Sequence, residues 1–222
     1  MKTVLKLFIV VFMLSLTSQT FAQPTFGVKG GLSLSNMNWS SIDFFFDTDD
    51  FKMKPGFHVG PTIEVPITEM LSFESGLILG TRGTRMKEEI DMEGPVDVKF
   101  NINLLYLDVP LNLKAYFDLG GVKAYGSFGP YIGIGLSGKM KMEASYQGDS
   151  ETETIDIEWG SDAEEDDLKR LDYGLAFGAG VDIKPITIGV SYGLGLANIS
   201  AYTDGDASIK NSLITLSFGY KF

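Results

Sequence analysis

The sequence contains no cysteine and a single histidine, His58. Without cysteine the chain can form neither disulfides nor thiolate metal sites, and it has no thiol nucleophile. No segment after residue 22 approaches eighteen consecutive apolar residues, so no transmembrane helix is expected there. Basic residues are also scarce, since 18 Lys and Arg stand against 29 Asp and Glu. Such an acidic chain lacks the basic surface that nucleic-acid binding needs, and we expect no nucleic-acid partner.

The beginning of the chain has the pattern of a secretory signal peptide. Two lysines precede an apolar run over residues 7–16, and a small-x-small cleavage site ends at Ala22. A transmembrane anchor is the alternative, but the apolar run is too short to span a bilayer as a helix. No cysteine follows the site, which excludes lipoprotein processing. We predict a signal peptide over residues 1–22 and one mature domain over residues 23–222. Removing two lysines leaves 16 basic and 29 acidic residues, a net charge of −13.

Eight segments of the mature chain alternate between apolar and polar residues, which is the period-two pattern of β-strands. The last segment shows it most clearly, because Ile214, Leu216, Phe218 and Tyr220 alternate with small or polar residues. Pro61 and Pro66 weaken the second segment, since each removes a ladder N–H. The predicted strands cover about residues 25–36, 54–67, 71–90, 99–117, 122–142, 169–184, 186–200 and 208–222.

The connections between these strands alternate in length. Those after the second, fourth and sixth strands are short turns. The others are longer and cover residues 37–53, 91–98, 143–168 and 201–207. Short periplasmic turns, longer external loops and an even number of strands are typical of outer-membrane barrels. The sequence therefore predicts an all-β fold, an eight-stranded antiparallel up-and-down transmembrane β-barrel.

The two faces of the predicted strands differ strongly in composition. One face carries Leu, Ile, Val and Phe on nearly all strands, and the other carries Gly, Ser, Tyr and charged residues. A belt of that apolar size would cause aggregation in water, so we expect it to face lipid. A soluble lipocalin-like barrel with the apolar face around a ligand is the alternative. Aromatic residues with outward parity at the predicted strand ends favour the membrane: Phe26, Phe57, Phe73, Phe117, Tyr173, Tyr220 and Phe222.

The polar face predicts a barrel interior with balanced charge. Its five basic and five acidic residues fit a salt-bridge network that plugs the lumen, because eight strands leave little room. A proton or ion path is the alternative reading. With the histidine, the predicted interior residues are Lys29, His58, Glu64, Glu74, Arg82, Asp108, Lys114, Lys123, Asp172, Asp182 and Lys221.

No catalytic, cofactor or metal site is predicted. His58 could activate a nucleophile, and Ser33 and Ser35 on the neighbouring strand are conceivable partners, but no spacing singles out a nucleophile, a base and an orienting group.

The predicted loop 143–168 contains eleven acidic residues and no Lys or Arg, which is typical of a solvated, mobile loop. Calcium binding is the alternative there, although the Asp-x-Asp-x-Asp-Gly spacing is missing. Three phenylalanines at 44–46 could contact a partner or the membrane surface, or could pack over the barrel mouth.

Residues 105–114, Leu-Tyr-Leu-Asp-Val-Pro-Leu-Asn-Leu-Lys, resemble the Tyr-Leu-x-[Ile/Val]-Pro-Leu-x-Leu-Lys stretch of the PorT-like outer-membrane β-barrel family. The first strand, with Val-Lys-Gly-Gly-Leu-Ser at 28–33, and the terminal Phe222 fit the same family. The resemblance implies an outer-membrane location, with membrane lipid and the barrel-assembly machinery as partners and Phe222 as the assembly signal.

The founding member of that family is associated with type IX protein secretion. We expect a non-enzymatic structural, binding or accessory role, with an unidentified ligand or protein partner at the external loops. An outer-membrane hydrolase that uses His58 is the alternative function.

Overall fold

The computed structural model describes residues 23–40, 52–91, 95–146, 149–162, 165–202 and 207–222. Over these ranges the chain forms eleven β-strands, and no helix there is long and apolar enough to cross a membrane. The predicted signal peptide and the phenylalanines at 44–46 lie outside the described residues. The strands are β1 (Thr25–Ser40), β2 (Lys52–Pro66), β3 (Leu71–Gly76), β4 (Ile78–Arg82), β5 (Thr84–Asp91), β6 (Pro95–Asp118), β7 (Lys123–Tyr146), β8 (Asp149–Asp156), β9 (Leu171–Ile183), β10 (Ile186–Gly195) and β11 (Ser208–Lys221).

Eight strands close a ring. β3, β4 and β5 are consecutive pieces of one strand that lies between β2 and β6. From β6 the antiparallel pairs continue through β7, β9 and β10 to β11. β11 then pairs with β1 from Gly27↔Lys221 to Ser40↔Ser208, and β1 pairs with β2. The predicted eight-stranded antiparallel barrel is confirmed. We call the end with the short turns the inner end and the opposite end the outer end.

The third predicted strand is interrupted at Leu77 and at Gly83. Gly83 has a φ of +147°, and a Cβ at this position would overlap the carbonyl oxygen of Ile102 on β6. Only glycine tolerates both conditions. At the other break the Leu77 N–H donates to Pro61 O at 3.1 Å, which keeps this strand bonded to β2.

Beyond the outer end of the ring, the chain continues as a four-stranded sheet of β5, β6, β7 and β8. The sequence predicts loops over much of this external sheet, and that prediction is wrong for residues 95–98, 143–146 and 149–156. The first predicted loop is likewise strand over residues 37–40 and 52–53. Outside a membrane both faces of a sheet can carry polar side chains. A polar segment that follows a membrane-spanning strand can therefore continue as a strand.

Ion pairs between neighbouring strands support the external sheet. Lys99 Nζ lies 2.7 Å from Glu143 Oε1 between β6 and β7, and Lys139 Nζ lies 3.4 Å from Asp156 Oδ1 between β7 and β8. Opposite charges that face each other on adjacent strands favour the register that brings them together. The acidic residues of β8 are thus part of a ladder rather than of a mobile loop.

The outward face of the ring is an apolar belt. On β1, Leu32 is 68% exposed and Phe26 is 60% exposed. A contiguous apolar belt of this kind is incompatible with water and fits the hydrocarbon of a bilayer. The alternative of a soluble barrel with its apolar face inward is therefore wrong. The same outward parity is shared by exposed residues of other strands, including Phe57, Val59, Leu113, Phe117, Phe128, Ile132, Tyr173, Phe177, Val190, Leu216, Phe218 and Tyr220.

A separate apolar core fills the outer end of the barrel. Residues after β10 contribute to it because that strand ends at Gly195, whereas the sequence predicts strand up to Ser200. Trp159, from the segment after β8, places its ring edge-on to Tyr106 with centroids 5.8 Å apart. This outer core closes the lumen at that end. Its buried members are Met37, Ile102, Leu104, Tyr106, Ile157, Leu168, Ala197, Ile199 and Ile209.

Candidate functional site in the barrel interior

Near the inner end, three lysines and three carboxylates form one ion-pair cluster, which we call the inner cluster. Lys114 Nζ donates to Glu74 Oε2 at 2.8 Å and to Glu64 Oε2 at 3.4 Å. Lys29 Nζ donates to Glu74 Oε1 at 2.8 Å. Each of these side chains projects from a different strand, so the cluster ties the wall together across the lumen. Its members are Lys29, Glu64, Glu74, Lys114, Asp182 and Lys221.

Lys221, close to the end of β11, completes the inner cluster. Its ammonium contacts Asp182 and lies 3.0 Å from Glu64 Oε2. Tyr116 Oη donates to Glu64 Oε1 at 2.7 Å, and the ring of Tyr125 lies 4.2 Å from Lys114 Nζ. Charges taken out of water are tolerated when they are paired, and every charge of this cluster has an oppositely charged partner.

A second cluster, which we call the outer cluster, surrounds Arg82. The guanidinium donates to Asp108 Oδ2 at 2.7 Å and to Asp172. Asn211 Nδ2 donates to Asp172 Oδ2 at 2.9 Å. The guanidinium carbon also lies 4.6 Å from the ring centroid of Tyr106 and 5.1 Å from that of Tyr131. Arg82 is therefore held between two carboxylates and two aromatic rings. Asn211, which sequence reasoning did not identify, is buried and lies on the same face of β11 as Thr215 and Lys221.

Two predicted interior residues lie outside both clusters. Lys123, the first residue of β7, is half-buried at the inner end and has no ion pair among the described residues. It borders a cavity of about 470 Å³ at the mouth, where solvent can hydrate its ammonium. The clustered charges are therefore four basic and five acidic residues, not five of each.

His58 also lies outside the clusters, and its side chain is buried. Its Nε2 lies 2.8 Å from Ser217 Oγ on β11. The conceivable partners on β1 are placed differently, since Ser35 Oγ donates to Gly83 O and Ser33 Oγ has no hydrogen-bond partner among the described residues. In the part of the chain that the structure describes, no acidic group orients the imidazole, because His58 Nδ1 has no hydrogen-bond partner there.

A missing side chain explains the His58–Ser217 contact. His58, Gly31 and Ser217 lie in one row around the barrel, since Gly31 pairs with both other residues. A Cβ at Gly31 would lie 3.1 Å from His58 Cε1, so glycine lets the imidazole reach across β1. Glycine makes room for Tyr125 in the same way, because Cβ atoms at Gly180 and Gly189 would overlap the hydroxyl end of its ring. Glycine on the polar face thus makes room for long side chains in a narrow lumen.

Phe222 lies at the inner end beside the first strand. Its N–H donates to Phe26 O at 2.8 Å, and its ring meets that of Tyr220 with centroids 5.4 Å apart. The side chain is 79% exposed on the outside of the barrel. Its predicted role as an assembly signal concerns a step before the folded state and stays a prediction.

The segment after β8 is ordered by its own acidic side chains. Asp167 Oδ2 accepts the Glu158 N–H at 2.9 Å, and Asp166 Oδ2 accepts the Asp162 N–H at 2.8 Å. These carboxylates act as turn acceptors. Among the described residues, no group of three or more His, Asp or Glu is placed to hold a metal ion.

Comparisons with known proteins agree with this architecture. A family model of the outer membrane protein beta-barrel domain matches residues 21–201. No curated protein matches the chain. Among solved structures, the chain is similar to Ail, the attachment invasion locus protein of Yersinia pestis, with 19% identity, 90% of this chain and 99% of that chain covered, and a TM-score of 0.35.

Two further solved structures are similar over comparable lengths. Neisserial surface protein A has 12% identity, with 90% of this chain and 99% of that chain covered and a TM-score of 0.42. The outer membrane protease OmpT from Escherichia coli has 8% identity, with 93% of this chain and 99% of that chain covered and a TM-score of 0.36. The family model covers most of the chain, and the closed ring with its apolar belt has the form that its description names. The chain belongs to the outer membrane protein beta-barrel domain family, and the protein resides in the outer membrane.

Proposed function

We propose that this protein is a non-enzymatic outer-membrane barrel of the PorT-like kind, which acts through its external surface as a binding or accessory component. The observation that carries the proposal is the filled lumen. The inner cluster, the outer cluster and the outer core occupy the interior one above the other. The external sheet is then the part of the molecule that is left for contact with partners outside the cell.

The filled lumen argues against transport. An ion would have to separate pairs such as Arg82–Asp108 and Lys114–Glu74. Breaking a buried pair costs about 3–5 kcal/mol. Beyond these pairs it would meet the outer core, whose side chains are mainly apolar.

The surroundings of His58 argue against hydrolysis. Ser217 is within hydrogen-bond distance, but a base without an orienting partner lacks the third member of a catalytic triad. The histidine also borders a cavity of only about 110 Å³, whereas pockets for small-molecule ligands measure about 300–1,000 Å³. A lipid or peptide substrate does not fit there.

Residues 105–114, which carry the PorT-like resemblance, contribute to the wall and to the interior of the barrel. Within residues 105–114, Leu113 lies on the lipid face, while Tyr106, Asp108 and Lys114 reach the two clusters. One stretch of β6 therefore supplies both the lipid-facing wall and the charges that fill the lumen. This supports a shared barrel design, with outer-membrane lipid and the barrel-assembly machinery as partners.

The external sheet supplies the surface for a partner. All eight residues of β8 are exposed. One face of the external sheet is polar and carries Lys139, Lys141 and Glu143 of β7 beside Thr152 and Thr154 of β8. Exposed, mixed charges of this kind suit a reversible contact with another protein. An accessory role in surface assembly or secretion would use this sheet.

The test is depletion of the protein followed by an inventory of cell-surface proteins. In one rescue variant residues 140–155 are replaced by Asn-Gly, which closes a two-residue hairpin after Lys139 and before Asp156 and removes Lys141, Glu143, Thr152 and Thr154 of this face. This variant should insert normally but fail to restore the surface inventory, while His58→Ala should restore it. Full rescue by the shortened hairpin would contradict the proposal. Loss of rescue in a normally inserted His58→Ala protein would favour the hydrolase.

A further inference from the structure

The strand β8 forms one edge of the external sheet. Among the described residues it pairs only with β7, from Lys139↔Asp156 to Tyr146↔Asp149 and without a register shift. Nearer the membrane the place beside β7 belongs to β9, whose ladder with β7 ends at Ile134↔Leu171. All eight residues of β8 are exposed. The side of β8 that faces away from β7, which we call the free edge, is therefore open to solvent over the part of the chain that the structure describes.

The register shows which backbone groups lie at the free edge. Ile157 N–H donates to Gly138 O at 3.0 Å, one step beyond the last pair of the ladder. In an antiparallel ladder, pairs that exchange hydrogen bonds alternate with pairs that do not. Every second residue of β8 therefore directs both its N–H and its C=O away from β7. The residues that do so are Ser150, Thr152, Thr154 and Asp156.

The free edge has none of the features that commonly prevent strand addition. Exposed edges are often protected by lysine, by proline or by a β-bulge. The sequence of β8 contains neither Lys nor Pro, and its ladder with β7 is regular. A regular, exposed edge with unpaired N–H and C=O groups is a template on which another strand can add.

The charges of β8 select the strand that can add. Asp149, Glu151 and Glu153 lie on one face, since alternate residues of a strand point the same way. Glu151 and Glu153 have no ion pair among the described residues. A second copy of β8, or any acidic strand, would place carboxylate beside carboxylate, which is destabilising between adjacent strands. A strand with lysine or arginine would place opposite charges together.

We propose that the free edge of β8 binds an extended, basic segment of another protein, which adds to the external sheet as a further strand. Its main chain bonds the free N–H and C=O groups of Thr152 and Thr154, and its basic side chains face Glu151 and Glu153. In this mode of recognition the main chain supplies affinity, and alternate side chains supply specificity. The inference rests on the proposed function, since it names the kind of partner that the external sheet contacts.

The test uses the full mature chain in lipid nanodiscs. The probe is a capped peptide of alternating threonine and lysine, as long as β8. Amide hydrogen exchange followed by nuclear magnetic resonance should show new protection at Thr152 and Thr154 when the probe is added. The amides of Glu151 and Glu153, which bond β7 in this register, should change little. This alternating pattern identifies strand addition, because a probe held by charge alone leaves the edge amides exposed. A peptide of alternating threonine and glutamate is the control and should give no protection.

Proline at the free edge tests the backbone contribution. Thr152→Pro removes one edge N–H, and proline is tolerated in an edge strand when its missing N–H faces solvent. Thr152→Ala is the matched control, because it loses the same side chain and keeps the N–H. The proline variant should bind the basic probe about tenfold more weakly than the alanine variant.

A charge-reversed variant tests the selection of a basic segment, and it replaces the proline variant if proline disturbs the ladder with β7. The variant combines Glu151→Lys with Glu153→Lys. It should reverse the preference, so that the acidic probe now protects the edge amides. The proposal is overturned if the basic probe leaves Thr152 and Thr154 unprotected in the wild-type protein, if both probes protect them equally, or if the charge-reversed variant keeps the wild-type preference.

The rescue experiment separates this proposal from the proposed function. A Thr152→Pro protein that restores the surface inventory, while the shortened hairpin does not, would leave the proposed function standing and contradict strand addition. Restoration by the shortened hairpin would contradict the proposed function itself.

Discussion

At the scale of single residues, Arg82 is the side chain whose partners are most constrained. It is buried, it pairs with Asp108 and Asp172, and it stacks against Tyr106 and Tyr131. The two acidic partners come from β6 and β9, which are not neighbours in the ring. Removal of the guanidinium would leave two carboxylates in a closed interior, which is the expensive case for a buried charge.

Arg82→Leu should therefore lower the free energy of unfolding by about 3–5 kcal/mol. Urea titration of the protein in detergent micelles, followed by tryptophan fluorescence, measures this change. Lys99→Ala is the control, because it removes an exposed pair and should leave the urea midpoint of unfolding nearly unchanged. Similar losses for the two variants would mean that the outer cluster does not hold the barrel together.

Gly31→Ala tests the row that joins His58 to Ser217. The added methyl would press on the imidazole and on the carbonyl of Leu216. We expect a clear loss of thermal stability in the heat-dependent gel assay, because the β1–β11 pairing that closes the ring must shift. Gly126→Ala, whose methyl meets nothing, should unfold at the wild-type temperature. Equal unfolding temperatures for both variants would contradict the steric account.

At the scale of strands, the ladder extends well beyond the membrane belt. The external sheet contains the Lys99–Glu143 pair, in which both side chains are partly exposed. The hydrogen bond from Lys99 holds the pKa of Glu143 below its ordinary value of 4.5. The same bond raises the pKa of Lys99 above its ordinary value of 10.5.

These shifts predict a pH window for the external sheet. The Glu143 contribution is complete above its unfolded pKa of 4.5 and is lost as pH falls through the lower folded pKa. The Lys99 contribution is complete below 10.5 and is lost as pH rises through the higher folded pKa. Deuterium exchange, corrected for the intrinsic rate, should therefore show weaker protection of the outer ends of β6 and β7 at about pH 3 than at neutral pH. Glu143→Gln should remove most of this difference, and an unchanged difference in that variant would sink the explanation.

Phe222 gives a prediction for β11. The PorT-like resemblance assigns the terminal aromatic to assembly, and in the folded barrel the residue adds only one backbone bond, to Phe26. Deletion of Phe222 should reduce the amount of inserted protein in cells severalfold, while protein refolded in detergent should unfold near the wild-type temperature. Normal surface levels of the shortened chain would count against the assembly role.

The strands also show which features the sequence could predict. Where lipid covers one face, Leu, Ile and Phe must alternate with small or polar residues, so the membrane part of each strand is visible in the pattern. The external sheet is surrounded by water, and the residues of β8 do not alternate between apolar and polar. The sequence therefore predicted a loop there. The His58–Ser217 contact was also missed, because it depends on the register in which β11 closes onto β1. That register places Gly31 between the two residues, and no local pattern in either strand reports it.

At the scale of the whole molecule, the barrel is organised from its surfaces inward. An apolar belt faces lipid, glycines on the polar face leave space, and long charged side chains fill that space in two clusters. The outer core then closes the outer end with apolar side chains from the wall and from the segments that follow β8 and β10. The two clusters and the outer core together shut the lumen.

Conductance of the reconstituted protein in a planar lipid bilayer tests that claim most directly. Protein that shows its heat-dependent gel shift should give no stable, reproducible current steps, since each ion crossing would have to separate buried pairs and pass the outer core. Arg82→Leu and Asp172→Leu should be equally silent, because the outer core still closes the lumen. Well-defined channel openings that vanish in either variant would contradict the account and make the two clusters part of an ion path.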